Sequence, residues 1–337
     1  MNARWLAALA LLALPAAALA VGRPAAPRPD TRDLPAMPSY VQRVEPAVVA
    51  LKVRADAKAP SSARLGRERF ASAIVFDARG YAVTVSYAVI DALTIEAQTR
   101  TGQTLPARVT AIDFESGLAI VRLEGAGPFP VAPVGDSKDL ANGTLTGTVG
   151  VDEDNDLVWV SGNVNGVRRF SAYWEYMLDR AIFVAPGSSS WAGSAVVNER
   201  GEVVGIVSLR LGQAPHVNLA IPIERLIAVK DELITAGRIV SRPPRPWLGL
   251  YTIVIDGAVL VDDVSPSGPA RAAGFRKGDR IVGVNGVTVD TQEEFYEALW
   301  RGRAGDVIRV TVRREDAVRT IRVRSIDRHE LLRGSGR

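Results

Sequence analysis

The chain has 337 residues, enough for two or three folded domains. Its 47% hydrophobic and 23% charged residues describe a globular protein and exclude a disordered one. A net charge of +4, with no basic cluster beyond Arg313-Arg314, argues against a nucleic-acid surface, and zero cysteines exclude disulfides and a lipid-bearing cysteine.

Residues 1–20, MNARWLAALALLALPAAALA, carry one early Arg, a short apolar run and small residues ending Ala18-Leu19-Ala20. This is the pattern of a secretory signal peptide cleaved after Ala20, which predicts a periplasmic or secreted protein; an uncleaved inner-membrane anchor is the alternative. Residues 21–40 are proline-rich and aperiodic, a flexible lead-in.

From residue 41 the chain reads as short β-type runs separated by turns: Ala47–Val53, Ala71–Phe76, Ala82–Ser86, Thr94–Thr99 and Ala107–Ile112. A second β-rich set runs from Leu118 to Val207, so two barrels are expected. The period turns helical between Pro222 and Gly237, with the glycine as C-terminal cap. Residues 239–246, ending SRPPRP, read as a linker. A final module over 247–328 has β-type runs at Leu250–Ile255, Ala258–Val261, Arg280–Val284 and Val307–Arg313, and a helix over Thr291–Arg301 that opens with a Thr291/Glu294 capping box. Residues 329–337 read as a frayed tail.

One stretch organises the rest: Pro186 to Val207, PGSSSWAGSAVVNERGEVVGIV. A loop of small residues leading into a tight hairpin lets backbone N–H groups turn toward an oxyanion beside an exposed hydroxyl, as serine-dependent acyl transfer requires. A serine hydroxyl also needs a base, and in the chymotrypsin chain order an imidazole precedes it. The two histidines, His216 and His329, both follow the loop.

Several runs, in order, resemble the HtrA (Deg) family of exported serine proteases: Asp77-Ala-Arg-Gly-Tyr81 with Thr84, Asp113 to Ile120, Val134 to Ser137, Ser161-Gly162, Val197-Asn198 with Gly201 to Gly205, and Leu219 to Pro222. The resemblance implies a mainly β fold, a chymotrypsin-like double β-barrel over 41–238 followed by an α+β PDZ domain. It also places the departures on the catalytic positions. Tyr87 stands where the family has its histidine, and Gly117 where it has its aspartate. The nucleophile position is Ala192 when counted back from Val197-Asn198 and Ser189 when counted forward from Pro186-Gly187; Ala192 is preferred because Gly193 follows it. Tyrosine, with an ordinary pKa of about 10, is a poor acceptor for a serine proton.

Three alternatives carry less. A serine-lysine pair would have to recruit Lys138 or Lys230 from outside the loop; Asp152 to Asp156 lacks the spacing of a calcium loop; and Tyr173, Trp174 and Tyr176 read as packing rather than as the wall of a cleft. No metal or other cofactor is expected.

The last module keeps its signature. Ser265 to Ala270, Ala273-Gly-Phe275, Gly278 to Ile281 and Val284-Asn-Gly286 resemble a bacterial PDZ domain, and Trp247-Leu248-Gly249-Leu250 resembles its carboxylate-binding loop. Successive loop N–H groups would take a peptide's terminal carboxylate, the strand from Leu250 would add the peptide as a further strand, and Phe295 and Leu299 would wall the side-chain pocket. The expected protein is an exported pseudoprotease that binds peptides or unfolded and C-terminal segments, as scaffold or regulator in envelope quality control. The family resemblance adds a homo-trimer, or a hetero-assembly with an active relative. The alternative is a peptidase using Ser189 with a non-standard base.

Overall fold

The computed structural model describes residues 36–334. The signal-peptide reading and all but the end of the lead-in lie outside them. Helix α1 (Ser39–Val44) buries Val41 and Val44 and leads through a tight turn into the first barrel. That barrel is closed by β1 (Val48–Ala55), β2 (Glu68–Asp77), β3 (Tyr81–Val85), β4 (Ala92–Thr99), β5 (Thr104–Asp113) and β6 (Leu118–Leu123), in the order β1-β2-β3-β6-β5-β4. Two short helices interrupt it, α2 (Pro60–Leu65) and α3 (Ser86–Val89).

The strands form because branched side chains alternate with polar ones. In β1, Val53 and Ala55 are buried while Lys52 and Arg54 face out. Fully buried residues such as Leu51, Ile74 and Ile120 fill the barrel, each stabilising it by ~2 kcal/mol.

The second barrel comprises β7 (Leu145–Val151), β8 (Leu157–Ala172), β9 (Tyr176–Ala185), β10 (Ala195–Val197), β11 (Val203–Leu211) and β12 (Val217–Pro222), closed as β10-β11-β12-β9-β8-β7. Two sequence boundaries move. Leu118–Leu123, assigned to the second β-rich set, is the sixth strand of the first barrel, because its near-continuous burial needs a neighbour on both edges and β3 and β5 supply them. The helical stretch 222–237 begins as the end of β12 and then splits into α4 (Glu224–Ile227) and α5 (Lys230–Ala236) at Val229, whose φ of −133° breaks the helix; Gly237 caps it in the left-handed conformation.

The third module is a sheet in the order β13-β14-β15-β17-β18, from β13 (Leu250–Ile255), β14 (Ala258–Val264), β15 (Arg280–Val284), β17 (Val307–Arg314) and β18 (Ala317–Arg324), with β16 (Val287–Thr288) paired to β15. Helices α6 (Pro269–Ala273) and α7 (Gln292–Leu299) pack on it, and α7 carries both halves of the Thr291/Glu294 capping box.

The tail is not frayed at its start. His329 meets the Ile112 carbonyl through Nε2 and Asp327 through Nδ1, both at 2.9 Å, and α8 (Glu330–Gly334) follows. A histidine with one acceptor at each ring nitrogen is held by the end of β5, which lies far from it in sequence.

Inside the sheet module Asp279, 1% exposed, takes Arg314 Nε at 2.6 Å and Nη2 at 2.8 Å. Removing one member of a buried bidentate pair leaves the other charge uncompensated. Asp279→Ala is expected to lower stability by ~3 kcal/mol, read as a shift in the urea midpoint of unfolding.

Candidate functional site

The chemistry of a serine protease would sit between the two barrels. Tyr87 is there, on α3, and its hydroxyl donates to the Ser208 carbonyl at 2.6 Å. Burial raises its pKa above the ordinary phenol value, and the neighbouring Trp191 side chain opposes that only in part. A phenol that keeps its proton and spends it on a carbonyl cannot accept one from serine. The Arg69 guanidinium locks α3 in place, donating to the Tyr87 carbonyl at 3.0 Å and the Ile90 carbonyl at 2.8 Å.

Gly117 follows the β5–β6 turn with φ +82°, its carbonyl accepting from Ser86 N–H at 2.8 Å. A Cβ there would lie 3.1 Å from the Tyr176 ring and hydroxyl. Tyr176 is buried, donates to the Ser116 carbonyl at 2.7 Å, and has its pKa pushed up by burial and by Asp113. An aromatic ring therefore fills the space beside the position where the family's aspartate would orient an imidazole.

The Ser188–Ser194 loop is sewn to both barrels. Ala192, half-buried, accepts from Ser72 N–H at 2.8 Å, and Gly193 N–H donates to the Val207 carbonyl at 2.9 Å. Gly193 has φ +76°, and a Cβ on it would come within 2.0 Å of the Ser72 carbonyl oxygen, so only glycine fits. The hydroxyls satisfy the loop itself: Ser190 donates to the Val151 carbonyl, Ser194 to the Ser190 carbonyl at 2.6 Å, and Ser188 Oγ accepts Ser190 N–H at 3.2 Å. With Ala192 in the nucleophile position, Ser190 N–H would be the second oxyanion donor, and that bond engages it. Ser189 is exposed and makes no hydrogen bond within the described residues. No histidine, lysine or carboxylate there bonds to a serine hydroxyl of the loop; Lys138 pairs with Asp136 and Lys230 with Asp231.

The loop expected to take a carboxylate holds one from this chain, that of Glu175. Gly249, φ +82°, passes 2.9 Å from the Gly268 Cα when extended by a Cβ, which fixes the turn that aims the flanking N–H groups inward. Leu248 N–H donates to Glu175 Oε2 at 3.0 Å and Leu250 N–H to Oε1 at 2.6 Å. Leu248, Phe295 and Leu299 are 0% exposed, Leu250 1% and Trp247 8%, so the expected peptide-binding residues are covered. What covers them is the β8–β9 hairpin. Burial pushes the Glu175 carboxyl up to about 7, while the N–H groups of Leu248, Leu250 and Gly249 and the Arg328 guanidinium pull it down. Arg328 stacks on Phe114 at 4.4 Å and makes no ion pair among the described residues. A cavity of about 300 Å³ opens beside it, lined in part by Phe114, Glu175, Trp247, Arg328 and His329.

A trypsin-like peptidase domain model matches residues 71–206 and a PDZ domain model residues 246–324. The chain is a homologue of the HtrA-type serine proteases. The homologue is 26% identical to the Serine protease Do-like HtrA of Lactobacillus helveticus over 70% of its own length and 62% of that protein's. It is 29% identical to the Putative serine protease HhoA of Synechocystis over 65% of its own length and 60% of that protein's. It thus spans about three fifths of both relatives, whereas the match to Serine endoprotease DegS of Salmonella typhimurium, at 26% identity, takes in 87% of both chains. Among solved structures, an HtrA-type protease AlgW with decapeptide shares the fold at TM-score 0.55 and 19% identity, covering 86% of this chain and 98% of that one.

Sequence reading brought out the covered loop but missed what covers it. Tyr173, Trp174 and Tyr176 were read as packing, and Glu175 between them went unread. A lone acid in the run Tyr173-Trp-Glu-Tyr-Met177 was the available signal. Thr252, Gln292 and Tyr296 were missed as well, because side-chain bonding across the groove leaves no local pattern.

Gly117→Asp is expected to cost ~2–4 kcal/mol, from the strained φ and the collision with Tyr176, and Tyr176→Ala in the same chain should recover the collision part. A denaturant double-mutant cycle measures it, and strictly additive costs would show that the ring does not hold that space. A second expectation concerns pH. The folded Glu175 carboxyl titrates near 7 against an ordinary 4.5, so the folded state binds more protons between those values. That stability is fully present below about 4.5 and lost as pH rises through about 7, on the order of 3 kcal/mol. Urea midpoints should fall from pH 5 to pH 8 in the native chain and fall less in Glu175→Gln.

Proposed function

We propose that this chain is an exported, non-cleaving HtrA homologue that holds peptides or C-terminal segments through its PDZ domain, as a scaffold or regulator in envelope protein quality control. The observation that carries the reading is the proton inventory between the barrels. The hydroxyls of Tyr87, Ser190 and Ser194 all donate to backbone carbonyls, and no imidazole, amine or carboxylate bonds to a loop serine among the described residues. Without a group to take the proton, the hydroxyl stays a weak nucleophile. A relative from Halomonas elongata is named a probable periplasmic serine endoprotease DegP-like, in keeping with an envelope location. Among the described residues no helix is long and apolar enough to cross a membrane. Assembly as a homo-trimer, or with an active relative, is part of the proposal.

A second reading rests on Ser189, the exposed hydroxyl of the loop without a partner. It would make the chain a peptidase with a non-standard base. Incubation with casein and with a fluorophosphonate probe separates the two. We expect background hydrolysis and no label in both the native chain and Ser189→Ala; label or cleavage lost in Ser189→Ala would establish the second reading.

A further inference from the structure

The β8–β9 hairpin enters the groove between β13 and α7 in the manner of a bound peptide. Its strands close at the Ala172–Tyr176 pair around the turn Tyr173-Trp174-Glu175. Thr252 N–H, on the free edge of β13, donates to the Tyr173 carbonyl at 2.8 Å. Two residues on, the Glu175 carboxylate takes the Leu248 and Leu250 N–H groups, as a chain terminus would. The Tyr296 hydroxyl, from α7, donates to the Ala172 carbonyl at 2.6 Å and accepts Glu175 N–H at 3.2 Å. Met177 is buried in the same apolar cluster as Leu248, Leu250, Phe295 and Leu299. Outside the groove, Ser171 Oγ bonds Glu293 at 2.6 Å and Arg169 pairs with Glu297 at 2.7 Å, both on α7.

Glu175 holds φ +54°, the left-handed position of a three-residue hairpin turn, which is ordinarily a glycine. A side chain that tolerates that backbone and gives up its hydration is anchored by what it reaches. Gln292 closes the remaining edge, its Nε2 donating to the Thr252 carbonyl at 2.9 Å.

We propose that the Tyr173–Met177 turn is an internal ligand that latches the PDZ groove, and that the partner able to displace it is an extended peptide with a free C-terminal carboxylate behind an apolar last residue. The inference rests on the reading of the PDZ domain as a peptide binder and adds its regulation. The carboxylate requirement follows from the two N–H groups now on Glu175, the extended backbone from Thr252 N–H, and the apolar last residue from the cluster that Met177 fills. A groove occupied most of the time binds outside peptides in proportion to the unlatched fraction, so freeing the latch tightens apparent affinity without any change in the groove.

The test uses the full chain with fluorescent decapeptides ending in a free Met, and with the same peptides amidated. Glu175→Ala, with Glu175→Gln as the gentler variant should the first not fold, is compared with the native chain by fluorescence anisotropy and by amide hydrogen exchange at Leu250 and Thr252. We expect at least ten-fold tighter binding of the free-acid peptide and at least ten-fold faster exchange in the variant, with no binding of the amide. Unchanged affinity and exchange would overturn the latch and leave the peptide-binding reading standing. Faster exchange with no binding by either form would overturn the ligand assignment together with that reading. Equal binding of acid and amide would overturn the carboxylate requirement.

Discussion

Two adjacent side chains at the end of one hairpin set the state of both sites. Glu175 turns into the PDZ loop and Tyr176 turns the other way, under Gly117 and against the Ser116 carbonyl. Glu175 ends the hairpin turn and Tyr176 opens β9, so a single hairpin fills two cavities at once. The left-handed φ of Glu175 lets the turn close with that division intact.

The electrostatics of the junction follow from burying one acid. A carboxylate removed from water needs donors, and the loop of Leu248 to Leu250 provides backbone N–H groups already aimed at one point. Arg328 lies near enough to favour the charged form, while burial lowers its own pKa, and its guanidinium rests on aromatic faces rather than on a carboxylate. Around them the linker and the tail are tied to the first barrel. Arg242 and Arg245 both reach Glu115, at 3.0 and 3.2 Å, and His329 reaches Ile112. A proline-rich connector thus becomes a fixed strap.

The region between the two barrels is packed rather than emptied. Tyr87 and Tyr176 turn their hydroxyls onto backbone carbonyls, and the loop serines Ser190 and Ser194 spend their donors in the same way. Core density makes this packing mutually dependent: with the Tyr176 ring against Gly117, a side chain added there has to displace it.

Much of this was legible residue by residue. Tyr87, Gly117 and Ala192 stood out because chain order and local runs locate them, and the PDZ loop because a glycine turn before a strand is a local signal. The Gly237 and Thr291 caps were readable for the same reason, since a helix end is decided by a few neighbouring residues. Strand Leu118–Leu123 went to the wrong barrel because its apolar pattern suits either; pairing with β3 and β5 decides it. The start of the tail was misread as frayed because its partner, Ile112, lies far away in sequence, and the same distance hides the bond from the linker to Glu115. Sequence alone determined which chemical groups exist: no imidazole ahead of the serine loop, no cysteine, a glycine turn leading into the strand from Leu250. Only tertiary structure decided that Glu175 meets that turn, because the contact joins two modules some seventy residues apart and depends on how a hairpin is aimed, which no local periodicity encodes.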